Sequence, residues 1–536
     1  MAIVQALKVD WNNDGDFDDT HDDITSDTMS VSWERGRDYA SALLGATIAG
    51  RLTAVLDNTS SKYSPSNSSS ALSGSLLPGR TIRYEAGTGS FTYTFPIVFN
   101  DTPHFQGKIE RIVPSPSSTD INTVTIEAFG SLGYLNQFEV QLATQTNIRT
   151  DEAITSILTG VGWPVGDRTL DTGATTMTRF WLSSINTMDA LRIVEDTEAG
   201  LIREAKDGKI VFEHRNHRLT ATRSTTSQVT FSDASDTAHP YMAMTQDDPL
   251  TTIINHVEAT SRTYTTNSVA VLWTHPETGS DSPTIAPGQT KIFEAVYPNP
   301  DAPNNALEVN AWTTSAATTD YLVNTASGGG GTNLTSSMTV ANTKLGERMA
   351  ISITNGSTSD GFITKLQARG TAVVSKNPVI VRAIDTASQA IYGERKYVAK
   401  SDFIPSSEEA QGWCDYQMSI LGSPIDILTM VFSAKVSSNE VAALSLELSD
   451  RITIVATNQA GLGINADFFI ESEKHNITPD QHIVRWELSP ASGGLTQFWV
   501  LGTGVLGTST VPAFSEVSWF GQRQNRGVQQ WSRRHF

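Results

Sequence analysis

Apolar and polar residues alternate along much of the first 135 residues, which is the pattern of half-buried β-strands. The alternation is clearest in AIVQALKVDW and in ATIAGRLTAVLDN, where Ile48, Leu52, Ala54 and Leu56 are expected to share one face. Two further strand patterns follow, FTYTFPIVF and NTVTIEAFGSL. Residues 1–135 are therefore predicted to form one antiparallel, barrel-like β domain with an acidic loop.

In residues 136–225 the apolar residues recur at the spacing of short helices instead. These residues are predicted to form a small α+β domain. In TDEAITSILTGVGW the apolar positions recur at helical spacing, with Thr150 as the expected N-cap and Gly160 as the stop. Asn186 is expected to cap a second helix. Asp207-Gly208 marks the turn of a β-hairpin.

Strand patterns return after residue 226 and are interrupted by one clear helix. Residues 226–265 and 375–490 are predicted to form a second barrel-like domain, whose helix, at 405–421, is capped by Ser406 or Ser407. The proline-punctuated stretch between them, 266–374, has its own strand set and is predicted to be an inserted β-sandwich. Residues 491–536 are assigned to a C-terminal extension with a basic end.

The length agrees with several domains, because single hydrophobic cores stop growing at roughly 250–300 residues and this chain has 536. The expected fold class is mainly β and multidomain: two antiparallel β-barrel-like domains, a small α+β unit and an inserted β-sandwich. The one cysteine, Cys414, excludes an intrachain disulfide. No apolar run approaches the roughly 18 residues of a membrane-spanning helix.

The formal net charge of −19 narrows the range of partners. A surface that grips phosphates needs clustered Lys and Arg, which this balance argues against. It is compatible with nucleic acid that slides past the protein without binding.

The strongest local motif is the acidic stretch that follows the first strand pattern. Oxygen-bearing side chains at alternate positions, with Gly15 at the sixth, match a calcium-binding loop in which Asp16 gives its backbone carbonyl. His21 stands where the closing carboxylate is expected, and Asp22 follows it. The alternative is an Asx-rich turn on a solvated edge. The predicted Ca²⁺ ligands are Asp10, Asn12, Asp14, Asp16, Asp18 and Asp22.

The other motifs do not favour an enzyme. His214 and His217 lie three apart, but without an HExxH pattern they are expected to be a surface pair rather than a metal site. The GxGxxG match at 502–507 has no following helix and is not a dinucleotide site. No pair of carboxylates stands out as catalytic. We therefore expect no enzymatic activity.

The charge balance reverses in the last sixteen residues, GQRQNRGVQQWSRRHF, which carry four arginines and no acid. Basic and aromatic residues together favour docking onto an acidic neighbouring protein, and the alternative is a disordered tail. The predicted docking residues are Arg523, Arg526, Trp531, Arg533, Arg534 and Phe536.

Several sequence blocks occur in a characteristic order: DWNNDGDF with ITSDTMSVSWERGRD, LTAVLDNTSSKYSPSNSSSALSGSLLPGRTIRYEA, the GVGWP turn, DGKIVFEHR, TDYLVNTASGGGGTNLTSSMTV, MAISITNGSTSDGFITKLQARGTAV, SQAIYGERKY and FWVLGTGVLG. Together they resemble the minor tail proteins, or tail-tip (baseplate) hub proteins, of long-tailed bacteriophages. The resemblance spans nearly the whole chain.

This resemblance implies a virion structural protein at the tail tip, assembled in the host cytoplasm. Such hubs form threefold rings, here a homotrimer, that close the tail tube and organise their neighbours. The implied partners are distal tail, tail tube and tape-measure-type proteins and fibre or receptor-binding proteins. DNA is implied only as passing cargo, and no stable membrane association is expected.

A second hypothesis is a calcium-stabilised carbohydrate-binding or adhesin protein that contacts the host surface through residues 266–374. Exposed aromatic side chains at loop tips would favour it, although most aromatic residues of the insert are expected to be core or interface residues. A hydrolase of surface polysaccharide has the least support. The aromatic candidates are Trp273, Tyr297, Trp312 and Tyr321.

Overall fold

The structure is a computed structural model. It describes residues 2–37, 47–89, 102–234, 237–247, 252–276, 282–299, 302–306, 308–399, 401–421, 427–458 and 462–491.

The N-terminal part is an antiparallel β unit built from alternating strands. Its core contains Trp33, Tyr84 and Ile126, all fully buried or nearly so. The expected strand FTYTFPIVF lies outside the described residues. The strands are β1 (Ala2–Asp10), β2 (Thr28–Arg37), β3 (Thr47–Asp57), β4 (Thr81–Gly89), β5 (Thr102–Ser115) and β6 (Thr123–Gly130), with a 3₁₀ turn at Thr25–Asp27.

The predicted face of β3 is confirmed except at Ile48, whose side chain is 40% exposed. Glu34 of β2 pairs with Arg51, and Gly36 then pairs with Ile48, so two residues of β2 span three residues of β3. This bulge reverses the inward face, and Thr47 is buried in place of Ile48. The face is buried, as expected, at Leu52, Ala54 and Leu56.

The next unit mixes helices and short strands around one core, in which Ile154, Phe180, Leu191 and Phe212 are fully buried. Its elements are α1 (Ser131–Leu135), β7 (Glu139–Arg149), α2 (Thr150–Gly160), β8 (Arg168–Leu170), β9 (Thr176–Asn186), α3 (Thr187–Glu198), β10 (Leu201–Glu204), β11 (Ile210–Glu213), α4 (His217–Thr220) and α5 (Thr222–Thr225), with a 3₁₀ turn at Val165–Asp167.

The helix caps in this unit are partly as predicted. Asn186 is confirmed, since its side chain accepts the N–H of Met188 at 2.8 Å. The prediction of Thr150 as the N-cap is wrong by one residue. Arg149 occupies the N-cap of α2, and the Thr150 hydroxyl donates instead to Glu198 at 2.8 Å. The hairpin at residues 207–208 is confirmed by the antiparallel pairing of β10 with β11.

The second half begins with β12 (Thr230–Ser232), β13 (Ala243–Asp247) and β14 (His256–Ser261). A long excursion follows, in which two sheets enclose one core containing Ile285, Ile351 and Ile363. Its elements are β15 (Tyr264–Thr266), β16 (Ala270–His275), β17 (Thr284–Ile285), β18 (Thr290–Val296), β19 (Pro298–Asn299), β20 (Ala302–Ala306), β21 (Val309–Trp312), β22 (Tyr321–Asn324), a 3₁₀ turn at Thr335–Ser337, β23 (Met338–Lys344), β24 (Arg348–Asn355) and β25 (Gly361–Ser375).

The chain then returns to the second half. The Ser406 hydroxyl accepts the N–H of Glu409 at 3.1 Å, so Ser406 caps the predicted helix, which spans Ser407–Leu421. The remaining elements are β26 (Val379–Ile384), α6 (Thr386–Tyr392), β27 (Lys396–Val398), α7 (Ser407–Leu421), β28 (Ile427–Ser433), α8 (Ser437–Ser445), β29 (Arg451–Ala456), β30 (Ile464–Ile477) and β31 (His482–Pro490).

One large sheet joins the two halves of the molecule, in the order β1-β4-β5-β6-β3-β2-β30-β31-β28-β13. Strand β30 makes the join. The first part of one edge pairs with β29 and the second part with β2, while its other edge pairs with β31. The mainly β, multidomain class is confirmed. The described strands form an open path, so closure into barrels stays a prediction.

None of the helices in the described part of the chain combines the length and apolar character that a bilayer crossing demands.

Candidate functional site

The acidic loop after β1 is anchored by the carboxylate of Asp10, which is only 2% exposed. Its two oxygens accept the N–H groups of Asp14 at 3.2 Å and Gly15 at 3.1 Å. The loop can turn this tightly because Asn13 and Gly15 adopt positive φ angles, 63° and 98°. The side chain of Asp10 therefore holds the main chain of the loop.

Asp22 anchors the other end of the loop and is 1% exposed. Its carboxylate accepts the N–H groups of Trp11 at 3.5 Å and Asp19 at 3.2 Å. Burial raises the pKa of Asp22, and these main-chain hydrogen bonds oppose that rise. Both buried carboxylates of the loop are thus engaged with backbone donors.

The outer part of the loop carries its remaining carboxylates in solvent. The Asn12 amide donates to Asp14 at 2.7 Å and to Asp19 at 2.5 Å. The side-chain hydrogen bond to Asp18 raises the pKa of Asp16, and the nearby charges of Asp14 and Asp18 add to the rise. Like charges this close favour any cation or proton that neutralises them.

The geometry of the loop does not itself present a metal site. Among the described residues, no group of three or more His, Cys, Asp or Glu side chains is arranged to hold a metal ion. The loop described here is an Asx-rich turn held by main-chain hydrogen bonds. The calcium site remains a prediction from the sequence pattern.

His214 and His217 both turn towards one carboxylate. His217 Nδ1 lies 2.6 Å from Asp171, and His214 Nε2 lies 4.0 Å from the same oxygen. Burial opposes the charged form of His217, but the hydrogen bond to Asp171 and the charges of Glu213 and Asp171 together outweigh it and raise the pKa of His217. The pair belongs to an ion-pair cluster around Asp171.

The predicted basic docking residues, Arg523 to Phe536, lie outside the described residues, so the docking arm stays a prediction.

The aromatic candidates of the excursion are packing residues. Trp312 is 5% exposed and its indole N–H donates to the carbonyl of Leu345 at 2.8 Å. Tyr321 is 7% exposed. Trp273 and Tyr297 are half-buried and pack against the same core.

The largest cluster of buried ion pairs among the described residues was not predicted from the sequence. It is a charged junction where β2, β10 and β30 meet. Its centre is Arg35, whose side chain is 1% exposed. Its guanidinium lies 2.6 Å from Glu473 and 2.5 Å from Glu447, and it donates to the carbonyl of Glu204 at 3.1 Å. The charged junction comprises Arg35, Arg203, Glu204, Lys206, Arg218, Glu447, Glu471 and Glu473.

A second ion pair lies beside the first along β30. Arg218 donates to both oxygens of Glu471 at 2.6 and 2.9 Å, and the Ser489 hydroxyl donates to Glu471 at 2.5 Å. Burial would raise the pKa of Glu471, but the charges of Arg218 and Arg37 and the hydrogen bonds from Arg218 and Ser489 together outweigh it and lower that pKa to about 2. Both Glu471 and Glu473 are therefore charged at neutral pH.

Glu204 connects the junction to the first two units. Its carboxylate accepts the N–H of Leu132 at 3.1 Å and the N–H of Gly50 at 2.5 Å. Burial raises the pKa of Glu204 to about 6, although the charge of Arg35 and these hydrogen bonds act against the rise. Three units of the chain thus meet on one connected set of buried charges.

No signal for the junction is visible in the alternation alone, because Glu471, Glu473 and His475 occupy alternate positions of a strand as polar surface residues do. The structure turns that row inward. The sequence does carry one sign of it: Ser472, Lys474 and Asn476 are polar too, so the strand has polar residues on both faces.

No protein-family model matches the sequence. No curated protein matches it.

Solved structures of tail proteins are similar to the chain. A tail protein from Neisseria meningitidis is 9% identical, with 91% of this chain and 97% of that chain covered and a TM-score of 0.48. A 43 kDa tail protein of prophage MuSo2 from Shewanella oneidensis is 9% identical, with 91% and 99% covered and a TM-score of 0.46. A prophage tail protein from Listeria monocytogenes is 8% identical, with 90% and 94% covered and a TM-score of 0.39. Tail proteins are also the class that the sequence blocks resemble.

Proposed function

We propose that the protein is a structural component of a bacteriophage tail, placed at the tail tip as a baseplate hub. In this role it forms a threefold ring that closes the tail tube, organises neighbouring tail proteins and lets DNA pass during ejection. We propose no enzymatic activity.

The observation that carries the proposal is the join between the two halves. Strand β30 pairs with β2 along residues 472–477, and the ion pairs of Arg35 and Arg218 are buried directly on that strand. A charged pair that has lost its water holds its partners in one geometry, because either charge alone would be costly to bury. We infer that this join fixes the two halves relative to each other, which suits a ring at the end of a tail.

The charge of the chain supports the passage of DNA as cargo. The net charge of −19 means that carboxylates outnumber basic side chains, and we propose that some of them face the lumen of the ring. Carboxylates repel DNA phosphates, so the genome would pass without binding. A solved ring with a basic lumen would contradict this part of the proposal.

The test is the mass and the position of the assembled protein. A homotrimer has about three times the chain mass of 58.0 kDa, which light scattering or native mass spectrometry measures directly. A density map of the virion should place the ring on the tail axis. A monomer located away from that axis would refute the hub.

A further inference from the structure

Two buried histidines face each other at the closed end of the β30–β31 hairpin. His475 Nδ1 lies 2.9 Å from His482 Nε2, and each residue is 1% exposed. The ring of His475 stacks on Trp33 of β2, with centroids 4.4 Å apart and an angle of 9° between the planes. The hairpin tip, residues 475–482, therefore packs against the N-terminal half through this histidine pair.

The proton count of the pair is constrained by its surroundings. His475 Nε2 makes no hydrogen bond among the described residues, but the carboxylate of Glu473 lies 3.7 Å away and favours a proton on that nitrogen. His475 Nδ1 then accepts, so His482 Nε2 must donate. His482 Nδ1 is left as a bare acceptor, and it is buried without a hydrogen-bond partner among the described residues. A further proton must therefore go to Nδ1 of His482, and the N–H group so formed has no hydrogen-bond acceptor among the described residues.

The neighbouring charges add to the cost of that proton on His482. Lys435, after β28, is the charged group that acts on His482, and the rings of His475 and of His104 on β5 add to the repulsion only when they are themselves protonated. Lys206, in the turn between β10 and β11, and Arg35 on β2 act on His475.

Among the described residues, the negative group that acts on the pair is Glu473, which faces His475, and Arg35 already binds it at 2.6 Å. A positive charge on His482 would therefore meet mainly repulsion.

We propose that the His475–His482 pair is an acid-sensitive latch: the neutral rings hold the hairpin tip against β2, and protonation of His482 in acid releases the tip.

The direction of the pH effect follows from linkage. Burial is the main cause that lowers the pKa of His482 from 6.5 to about 3. An open tip exposes His482 to water and restores an ordinary pKa, so the open form binds the extra proton between these two values. The closed form is favoured above pH 6.5, and its population relative to the open form decreases as the pH falls below that value. From pH 7.5 to pH 4.5 the open fraction should rise by up to about 100-fold.

The test uses the full chain and amide hydrogen exchange read out by mass spectrometry at pH 7.5 and pH 4.5, with rates corrected for the intrinsic pH dependence. We expect opening of the hairpin tip and the facing part of β2 to increase by tens of fold, while β24 in the excursion stays unchanged. Equal corrected rates at the two pH values would overturn the latch.

His482→Gln is the matched variant, because the Gln side-chain amide can still donate to His475 but cannot take a proton in this range. Its acid response should be smaller than that of the wild type, with the remainder due to His475, whose pKa burial also lowers, whereas His21→Gln in the acidic loop should respond like the wild type. An undiminished response in His482→Gln would overturn the latch.

A second measurement does not depend on any variant folding. Exchange of the imidazole C2 hydrogen in the wild type, resolved by fragmentation, reports the pKa of His482 directly. A pKa below about 5 supports the latch, and a pKa near 6.5 in the folded protein overturns it.

Discussion

Arg35 on β2 places its Nε atom 2.6 Å from a carboxylate oxygen of Glu473 on β30, although the two residues are 438 positions apart in the chain. Both side chains are 1% exposed. The ion pair therefore lies inside the seam where the N-terminal half meets the C-terminal half. It makes the seam a place where single substitutions should have large and distinguishable effects.

Arg35→Met should destabilise the protein by about 3–5 kcal/mol, because Glu473 would stay buried without its partner. Urea unfolding at pH 7.5 measures the loss. Arg111→Met is the matched control: Arg111 binds Glu127 with two hydrogen bonds of 2.8 Å, but its side chain is 61% exposed. That surface pair should contribute less than about 1 kcal/mol. Equal losses of unfolding free energy in the two variants would show that burial does not make the ion pair of Arg35 more important for stability than a surface pair.

Gly36→Ala should destabilise the seam more than an ordinary glycine substitution. Gly36 has a φ of 118°, and an added Cβ would lie 2.4 Å from the carbonyl oxygen of Glu471. The backbone strain costs about 1–3 kcal/mol, and the clash across β2 and β30 adds to it. Gly79→Ala is the control: Gly79 also has a positive φ, 85°, but an added Cβ there would have no atom within 4 Å. This variant therefore measures the backbone strain without the clash. Differential scanning calorimetry should show the larger drop in melting temperature for Gly36→Ala, and a smaller drop would contradict the close approach of the strands.

The acid sensitivity of the protein should depend on Glu471. The pKa of Glu471 is lowered from 4.5 to about 2, so its ionised form stabilises the fold above pH 4.5. That contribution is lost as the pH falls from 4.5 to 2 and amounts to about 3 kcal/mol.

Glu471→Gln should therefore be much less stable than the wild type at pH 6, and the difference in unfolding free energy should narrow as the pH approaches 2. Urea titrations across this range measure the gap. Glu127→Gln, on the surface, should show a small gap that changes little. A gap for Glu471→Gln that is constant with pH would mean that its carboxylate is not specifically stabilised.

The acidic loop should bind calcium if the sequence pattern is a ligand set. A chelator should then lower the melting temperature and added Ca²⁺ restore it, since a ligand at 100 times its Kd stabilises by about 2.7 kcal/mol. Asp14→Ala should abolish the difference, while the exposed Asp480→Ala should leave it intact. The absence of any response to chelator would leave the loop as the hydrogen-bonded turn that the structure describes.

The local pattern of apolar and capping residues predicted much of the local structure correctly. It placed Leu52 and Leu56 on an inward face, and it located α7 with Ser406 or Ser407 as its cap, of which Ser406 caps the helix. It failed at Ile48, because a bulge depends on the pairing of β2 with β3 and leaves no mark on either strand alone. It also failed at Thr150, whose hydroxyl is drawn away from the cap by Glu198 on another helix.

The sequence by itself determined the strand-rich, multidomain character of the protein, because side-chain periodicity and turn residues act locally. It also determined the acidic loop, whose hydrogen bonds join residues only a few positions apart. Only the tertiary structure decided that Glu471, Glu473 and His475 face inward, where Arg218, Arg35 and His482 meet them. A charged residue can be buried only where a distant partner offsets its lost hydration, and that partner is set by the fold rather than by the neighbouring sequence.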